Sequence, residues 1–263
     1  MEVGISTASL FLREDTFSSL EILRGMDARV VEIFLESFSE YKSSFFDRLK
    51  PYTEGLKVHS LHTVTTQFEP QLFSAVPIQK EDAFSFMREI CEGGEKIGAK
   101  NYTLHGKAKV KKNSVLNDFD LYARRFNELC DMTEEYGVSV CLENVEWAFY
   151  GEPKWFSHIK NECPKLRTCL DVKQARISGY PVEEYIEEMK GRINTVHLSD
   201  VTAEGKMVLP GKGITDFGRL FSTLKKAGFC GNMLIEVYSK DYGNVSEIGD
   251  SLEYLRKIKR EVF

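Results

Sequence analysis

Val138-Ser139-Val140-Cys141-Leu142-Glu143 is a short, largely apolar run that ends in a single carboxylate. Apolar residues on consecutive positions, rather than on every second one, indicate a strand covered on both faces, as in a parallel sheet. Seven more runs of this kind follow one another along the 263 residues: Val3–Ser6, Val30–Phe34, Lys57–His62, Asn101–His105, Thr168–Asp171, Thr195–Leu198 and Met233–Val237. The sequence therefore predicts eight parallel strands.

Segments with helical periodicity separate these runs. Before the last run, Phe217, Leu220, Phe221 and Leu224 recur at the three- and four-residue spacing of one helix face. A glycine stands where a helix would end before a strand, and an aspartate where a helix would begin. The predicted glycine ends are Gly55, Gly98, Gly137 and Gly228, and the predicted caps are Asp118 and Asp216.

Eight strand–helix units fit either a closed barrel or a doubly wound open sheet. No glycine-rich GxGxxG turn follows the first strand, and no linker or shift in composition divides the chain. Polar residues recur at the C-terminal ends of the strands, which in a barrel meet at one mouth, where active sites lie. We therefore predict a single (β/α)8 barrel domain over residues 1–263.

The composition is that of a soluble enzyme, with 42% hydrophobic and 29% charged residues. A net charge of −5 disfavours nucleic-acid binding. The sequence has no basic leader and no apolar run of the roughly 20 residues that a membrane helix needs, so we expect a cytoplasmic protein without a membrane partner. Six scattered cysteines without a CxxC pair favour reduced thiols.

Ionisable residues gather at or near the ends of the predicted strands. They are Glu32, His59, His62, His105, Glu143, Asp171, His197, Asp200 and Glu236. Carboxylates brought together in a barrel mouth repel one another unless a cation lies between them. Carboxylate and imidazole ligands suit one divalent metal, with Mn²⁺ expected first and Co²⁺, Mg²⁺, Fe²⁺ or Zn²⁺ as alternatives. The simpler interpretation is a set of hydrogen-bonded polar groups that stabilises the mouth.

Five segments carry a resemblance to a known family. Cys141-Leu142-Glu143-Asn144, Cys169-Leu170-Asp171, Val196-His197-Leu198-Ser199-Asp200 and Leu234-Ile235-Glu236-Val237 resemble the xylose isomerase-like TIM barrel superfamily. Pro210-Gly211-Lys212-Gly213, followed by Asp216-Phe217, resembles that superfamily's PGxG element. The superfamily includes sugar and sugar-phosphate isomerases and epimerases, inosose dehydratase and apurinic-site endonucleases. The resemblance covers nearly the whole chain in order.

The resemblance implies a metal site and a mechanism. Glu143, Asp171, His197 and Glu236 match the metal ligands of the ketose 3-epimerases. Glu143 and Glu236 would be the catalytic residues, on opposite faces of the sugar, and would move a proton at the carbon beside the carbonyl. The metal would stabilise the charge of the resulting enediolate. Return of the proton on the other face gives an epimerase, and transfer to the adjacent carbon gives an isomerase.

His62 and His105 match histidines of the endonuclease branch, whose site holds three zinc ions. Gln174 stands where that branch has a further histidine, and an Asp-x-His pair expected after the seventh strand is missing. We therefore interpret His62 and His105 as contacts to substrate hydroxyl groups. Gln174 also replaces a histidine that some ketose epimerases use against the substrate.

Lys173, Gln174, Trp147 and Asp200 complete the predicted substrate-binding residues. If the chain continues as a strand after Asp171, Lys173 and Gln174 point in opposite directions and only one need face the pocket.

One histidine and one glutamate are interpreted as residues that support the structure around the site. His59 is expected to be structural, and Glu32 is expected to orient its neighbours.

A loop with four lysines (Lys107, Lys109, Lys111 and Lys112) is either a solvated loop or a means of capturing an anionic substrate.

The functional expectation is a metal-dependent isomerase or epimerase of a ketose, sugar phosphate or related polyol ketone. A dehydratase-type lyase, an endonuclease-like hydrolase and a non-catalytic sugar-binding barrel are the alternatives. The expected partner is a small sugar or a sugar derivative, with no nucleic acid. The sequence is compatible with a homo-oligomer.

Overall fold

The computed structural model describes residues 1–64, 67–109 and 118–263. Eight parallel strands form the main sheet: β1 (Val3–Ser6), β2 (Val30–Leu35), β3 (Lys57–Thr63), β4 (Asn101–Leu104), β5 (Ser139–Glu143), β6 (Arg167–Asp171), β7 (Ile193–Leu198) and β10 (Asn232–Ile235). They close a barrel in the order β1-β10-β7-β6-β5-β4-β3-β2. A small antiparallel pair, β8 (Asp200–Val201) and β9 (Met207–Val208), lies after β7. The predicted barrel is confirmed, and the predicted strand bounds differ from these by at most two residues.

Helices follow most of the barrel strands. They are α1 (Thr16–Gly25), α2 (Ser43–Leu49), α3 (Pro77–Lys96), α4 (Phe119–Glu134), α5 (Val172–Ile177), α6 (Val182–Glu188), α7 (Phe217–Lys226) and α8 (Ser246–Val262). The unit between β5 and β6 departs from this rhythm, because residues 153–158 form a 3-10 helix. Pro153 begins this short helix, and Pro164 precedes β6. A helix that continued through Pro164 would lose a backbone hydrogen bond there, because proline has no N–H donor.

The predicted helix ends are confirmed. Asp118 and Asp216 accept hydrogen bonds from the backbone amides of Leu121 and Arg219, each at 2.9 Å. Gly55, Gly98, Gly137 and Gly228 all adopt positive φ angles between 68° and 79°. A side chain is strained in this left-handed region, so glycine ends each helix and turns the chain towards the next strand.

The main apolar core lies between the strands and the surrounding helices. The helix face predicted in α7 is buried, with Phe217, Phe221 and Leu224 at most 1% exposed. Burial of one such side chain contributes roughly 1.5 to 3 kcal/mol. All six cysteines are free, and five of them are buried. No helix in the described part of the chain has the length and hydropathy needed to cross a bilayer.

Candidate metal centre and substrate cavity

The C-terminal ends of four barrel strands bring four buried side chains together. Glu143 ends β5, Asp171 ends β6, His197 lies at the end of β7, and Glu236 directly follows β10. The Nδ1 atom of His197 lies 2.8 Å from Glu236 Oε2 and 3.0 Å from Glu143 Oε1. One ligand atom from each residue lies within 4.8 Å of those of the others. The four predicted ligands therefore share one centre.

The four side chains fit a divalent metal ion. Two ligands at about 2.1 Å from one ion can be at most about 4.2 Å apart, close to the separations found here. Burial raises the pKa of Asp171 to about 7; Lys173 opposes this shift, and Glu143 and Glu236 add to it. A divalent cation would stabilise the buried carboxylate of Asp171 and offset its repulsion from Glu143 and Glu236. Three carboxylates and an imidazole are a suitable donor set for Mn²⁺ and its neighbours.

Glu32 contacts His197 through Nε2, the ring nitrogen that does not face Glu143 and Glu236. Its carboxylate is completely buried and accepts hydrogen bonds from the hydroxyl groups of Ser6, Ser60 and Thr103 at 2.7 to 2.9 Å. Its Oε1 lies 3.1 Å from His197 Nε2. Since a carboxylate accepts, Glu32 would hold the proton on Nε2 when a metal is bound, and Nδ1 would then offer its lone pair to the ion. This arrangement gives Glu32 the orienting position that the sequence predicted.

His62 and His105 lie side by side on the wall of the cavity. Their ring centroids are 4.4 Å apart. His62 Nε2 lies 3.9 Å from Glu236 Oε1, and His105 Nε2 lies 3.5 Å from Glu143 Oε2. Each histidine is therefore next to the oxygen of its glutamate that does not face His197.

Glu69 is a buried carboxylate that the sequence did not single out. It begins the 3-10 helix Glu69–Phe73 and is 0% exposed. Its Oε2 accepts from the backbone amides of His105 and Gly106, at 3.0 and 3.3 Å, and lies 3.4 Å from His105 Nδ1. Tyr102 donates to its Oε1 at 2.8 Å. Since Glu69 lies in a loop without helical or strand periodicity, only the folded path of that loop reveals this contact.

The strand ends at Asp171, as predicted, so the condition under which only one of Lys173 and Gln174 would face the pocket is not met. Asp171 caps α5, and its Oδ1 accepts from the backbone amide of Gln174 at 2.9 Å. The helical turn brings both Lys173 and Gln174 to the cavity. Lys173 Nζ lies 3.8 Å from Asp171 Oδ2 and 4.2 Å from the ring centroid of Tyr238.

The loop after β5 carries the tryptophan that lines the cavity. Trp147 is 36% exposed, and its ring centroid lies 5.4 Å from that of His105. Gln174 holds this loop, because its Oε1 accepts from the backbone amide of Glu146 at 3.2 Å. Trp155 instead stacks on Phe149, with centroids 4.6 Å apart, and packs away from the cavity.

Part of the four-lysine loop can be placed. Lys109 donates to the backbone carbonyl of Glu146 at 2.8 Å, so its ammonium group holds the loop after β5. Lys111 and Lys112 lie outside the described residues.

Asp200 departs from its predicted role. Its carboxylate accepts from the backbone amides of Val201, Gly211, Gly213 and Thr215 at 2.8 to 3.0 Å. These bonds occupy both carboxylate oxygens and anchor the PGxG segment, and Asp200 does not line the cavity at the centre. A Cβ atom on Gly213 would lie 2.5 Å from Asp200 Oδ1, so the close approach requires glycine. Asp200 therefore anchors this loop, and its carboxylate lies outside the cavity at the centre.

The cavity above the centre has a volume of about 240 Å³. Its lining combines ionisable side chains of the centre with apolar residues. The lining residues are Ala8, Phe11, Phe34, His62, Thr63, Val64, His105, Glu143, Trp147, Asp171, Lys173, Gln174, Glu236, Val237 and Tyr238. Ala8, Phe11, Phe34 and Tyr238 were not predicted to lie here, because only ionisable residues were sought at the strand ends.

The chain forms a closed parallel barrel with an acidic centre at its mouth. Comparison of its sequence with known protein families shows which family it belongs to. The chain belongs to the xylose isomerase-like TIM barrel family, whose model matches residues 17–258.

Sequence relatives match part of the chain. L-ribulose-5-phosphate 3-epimerase UlaE from Salmonella paratyphi A is 27% identical over 135 residues, which cover 49% of this chain and 47% of that protein. The match thus spans about half the length of this curated relative.

Solved structures match over the full length. A D-tagatose 3-epimerase-like protein superposes with a TM-score of 0.82 at 20% identity, covering 100% of this chain and 98% of that chain. The IOLI protein with a bound zinc atom superposes with a TM-score of 0.81 at 18% identity, covering 100% and 99%. At these identities the similarity shows the shared fold.

Proposed function

We propose that this protein is a divalent-metal-dependent epimerase or isomerase that acts on a ketose, a ketose phosphate or a related polyol ketone. One observation carries the proposal. Glu143 and Glu236 meet at His197 through one oxygen each, while their other oxygens lie beside two different histidines at the cavity wall. Two carboxylates in this arrangement can serve as acid and base on a substrate held between them.

Glu143, Asp171, His197 and Glu236 would hold the metal, with Mn²⁺ expected first. When bound, the metal supplies Lewis-acid stabilisation for negative charge on the substrate oxygens. One glutamate removes a proton from the carbon beside the carbonyl, and the other returns a proton on the opposite face. Lys173, whose ammonium group lines the cavity 3.8 Å from Asp171, favours the oxyanion electrostatically.

The wall of the cavity would orient the sugar. His62, His105 and Gln174 offer polar groups to the substrate hydroxyls, and Trp147 offers an aromatic surface. The bound partner is thus a small sugar. The enclosed centre argues against nucleic acid as the main partner.

Whether the substrate is phosphorylated can be tested directly. Among the described lining residues, Lys173 carries the permanent cationic charge, and the lining also includes the apolar residues Ala8, Phe11, Phe34 and Val64. This lining favours an unphosphorylated ketose, whereas the relative UlaE is named for a ketose phosphate. Values of kcat/KM for D-tagatose, L-ribulose and L-ribulose 5-phosphate, with Mn²⁺ present, rank these choices. A clear preference for the phosphate would reverse our ranking.

Two glutamine variants test the catalytic pair. Glu143→Gln and Glu236→Gln should each lower kcat by about 1,000-fold, within the range of 10²–10⁴ typical of general acid–base catalysis. Glu146→Gln, on an exposed residue in the adjacent loop, is the matched control and should retain activity. Deuterium from the solvent should enter the carbon beside the carbonyl. Near wild-type turnover in either cavity variant would refute its assigned role, and loss of water from the product would indicate a dehydratase instead.

A hydrolase of the apurinic-site endonuclease type is the second candidate. His62, His105 and Glu143 also place ligand atoms within 4.8 Å of one another, as a further metal site would require. Against it, Gln174 holds the loop after β5 through its side-chain oxygen. Incision of an abasic DNA duplex by the zinc-loaded protein would support this candidate, and intact duplex would remove it.

A further inference from the structure

The loop after β5 is joined to the loop after β4 by backbone hydrogen bonds. The amide of Lys109 donates to the carbonyl of Trp147 at 2.8 Å, and the amide of Phe149 donates to the carbonyl of Lys107 at 3.0 Å. These two bonds form an isolated antiparallel bridge. The pairing fixes the register of one loop against the other and brings Trp147 beside Lys109.

Two side chains also hold the backbone of Glu146, the residue directly before Trp147. The Glu146 amide donates to Gln174 Oε1 at 3.2 Å, and the Glu146 carbonyl accepts from Lys109 Nζ at 2.8 Å. Since these partners lie on two different segments, rotation of the backbone at Glu146 breaks at least one of the two bonds. The position of Trp147 is therefore defined by side chains as well as by the bridge.

Gly151 leaves room for the ammonium group of Lys109. A Cβ atom on Gly151 would overlap Lys109 Nζ and would lie 2.8 Å from the carbonyl oxygen of Glu146, which is too close for such a contact. The φ angle of Gly151 lies outside the left-handed region, so glycine is needed here for space and not for backbone conformation. The contact between Lys109 and Glu146 thus depends on a glycine in the same loop.

This backbone arrangement places the indole of Trp147 at one edge of the cavity. The side chain is 36% exposed and lines the cavity. Its ring centroid lies 5.4 Å from that of His105, whose Nε2 lies 3.5 Å from Glu143 Oε2. An indole ring has an apolar face that packs against C–H groups, such as those on the carbon chain of a sugar.

We propose that Lys109 is a positioning residue that, together with Gln174, fixes Trp147 as the surface that selects the ketose by its carbon chain. The inference rests on the proposed function, because it assumes that a ketose occupies the cavity. Glu143 and Glu236 carry out the proton transfer, whereas Trp147 contacts the sugar in the ground state and the transition state alike. Loss of its position therefore weakens binding and raises KM, with little change in kcat.

Steady-state kinetics of the Mn²⁺-loaded enzyme test the inference. Lys109→Met removes the donor to Glu146 and should raise KM for the preferred ketose by about 3- to 10-fold, with kcat within about twofold of wild type. Lys107→Met is the matched control and should retain both values. No hydrogen bond or ion pair joins the ammonium group of Lys107 to the described residues, and its carbonyl still accepts from Phe149. Gly151→Ala, which displaces the ammonium group of Lys109 without removing it, should repeat the rise in KM.

A double substitution shows whether Lys109 acts through Trp147. Trp147→Leu removes the aromatic surface and should raise KM at least as much as Lys109→Met does. In the Trp147→Leu background, Lys109→Met should change KM by less than about twofold, because the residue that it positions is no longer present. A merely structural role of Lys109 would give the full effect in both backgrounds.

Tryptophan fluorescence measures the position of Trp147 without turnover. The chain has two tryptophans, and the other, Trp155, is buried with an Nε1 atom that has no hydrogen-bond partner among the described residues. Trp155→Phe therefore removes no hydrogen bond and leaves Trp147 as the single emitter. In this background, quenching by acrylamide should be steeper for Lys109→Met and Gly151→Ala, whereas Lys107→Met should match the parent. Acrylamide is neutral, so the lost lysine charge does not itself alter the quenching.

The two measurements separate this inference from the proposed function. Steeper quenching together with a higher KM supports it, and melting temperatures identify any variant that fails to fold. If Lys109→Met leaves either the quenching or KM unchanged, its role in positioning Trp147 for the sugar is excluded. If quenching changes as expected but no ketose is converted, the proposed function fails and the fixing of Trp147 by Lys109 stands.

Discussion

Two histidines buried in the same barrel show how surroundings separate a structural residue from a functional one. His59 and His197 are 5% and 1% exposed, so burial does not distinguish them. His59 receives a hydrogen bond from Asn232 on Nδ1 and contacts the Thr195 hydroxyl through Nε2, both at 2.9 Å. His197 lies within 3.1 Å of three carboxylates, those of Glu32, Glu143 and Glu236.

The difference lies in charge. The partners of His59 are neutral and satisfy both ring nitrogens, so burial lowers its pKa to about 4 and the ring stays uncharged. The carboxylates around His197 create a concentration of negative charge that hydrogen bonds to neutral groups cannot offset. A buried histidine is therefore informative about function only together with the charge of the groups around it.

The largest expected effect concerns metal affinity. His197→Gln should weaken Mn²⁺ binding on the order of 1,000-fold, more than the 10- to 100-fold typical when only a partner of a ligand is lost. His59→Gln should leave the affinity unchanged, because its contacts are with Thr195, Asn101 and Asn232. Isothermal titration calorimetry measures both. Equal losses in the two variants would mean that the histidines do not differ as we describe.

Metal binding should also stabilise the fold. At a free Mn²⁺ concentration 100 times the Kd, the free energy of unfolding should rise by about 2.7 kcal/mol over that of the EDTA-treated protein. Thermal denaturation with and without metal measures the increase. The His197→Gln variant should show little increase at the same concentration, and a full increase there would locate the metal elsewhere.

The pH dependence of the free energy of unfolding should reflect the lowered pKa of His59. Its pKa is about 4 in the folded protein, below the unfolded value of about 6.5. As the pH falls from 7 to 4.5, the unfolded state takes up this proton first, so the fold loses about 2 to 3 kcal/mol from this group. Urea denaturation of wild type and His59→Gln at both pH values measures the difference. An unchanged pH dependence in the variant would contradict the assigned environment.

The smallest expected effect belongs to Asp200, which is near the mouth but anchors a loop. Asp200→Asn should lower the free energy of unfolding by about 1 to 2 kcal/mol, because an amide has one acceptor oxygen for the backbone donors. Mn²⁺ affinity should be unchanged. Denaturant unfolding and calorimetry together distinguish this outcome from a role in metal binding, which would weaken the affinity.

The fold and the centre could be predicted because both follow from local patterns. Consecutive apolar residues mark each strand, and a polar residue at the end of such a strand reaches the barrel mouth. Glu143, Asp171, His197 and Glu236 are among the nine ionisable residues that this pattern marks, and the resemblance to the xylose isomerase-like superfamily singled out these four as metal ligands. Their convergence follows from the closed order of the strands, which brings the four strand ends to one mouth.

The sequence was least informative where the chain leaves the regular strands. Lys173 and Gln174 both reach the cavity because Asp171 caps a helix at once, whereas a strand would have separated them. Asp200 follows β7 as closely as a catalytic residue would, yet its carboxylate turns to backbone amides. Glu69 is brought to His105 only by the folded path of the loop after β3, and nothing in the local sequence encodes that path.

The central claim is that three carboxylates and one imidazole bind a single cation, and anomalous diffraction from a crystal grown with Mn²⁺ tests it most directly. We expect an anomalous peak at about 2.0 to 2.3 Å from Glu143, Asp171, His197 and Glu236 alike. A peak held by His62 and His105 instead, or no peak at saturating Mn²⁺, would contradict the claim.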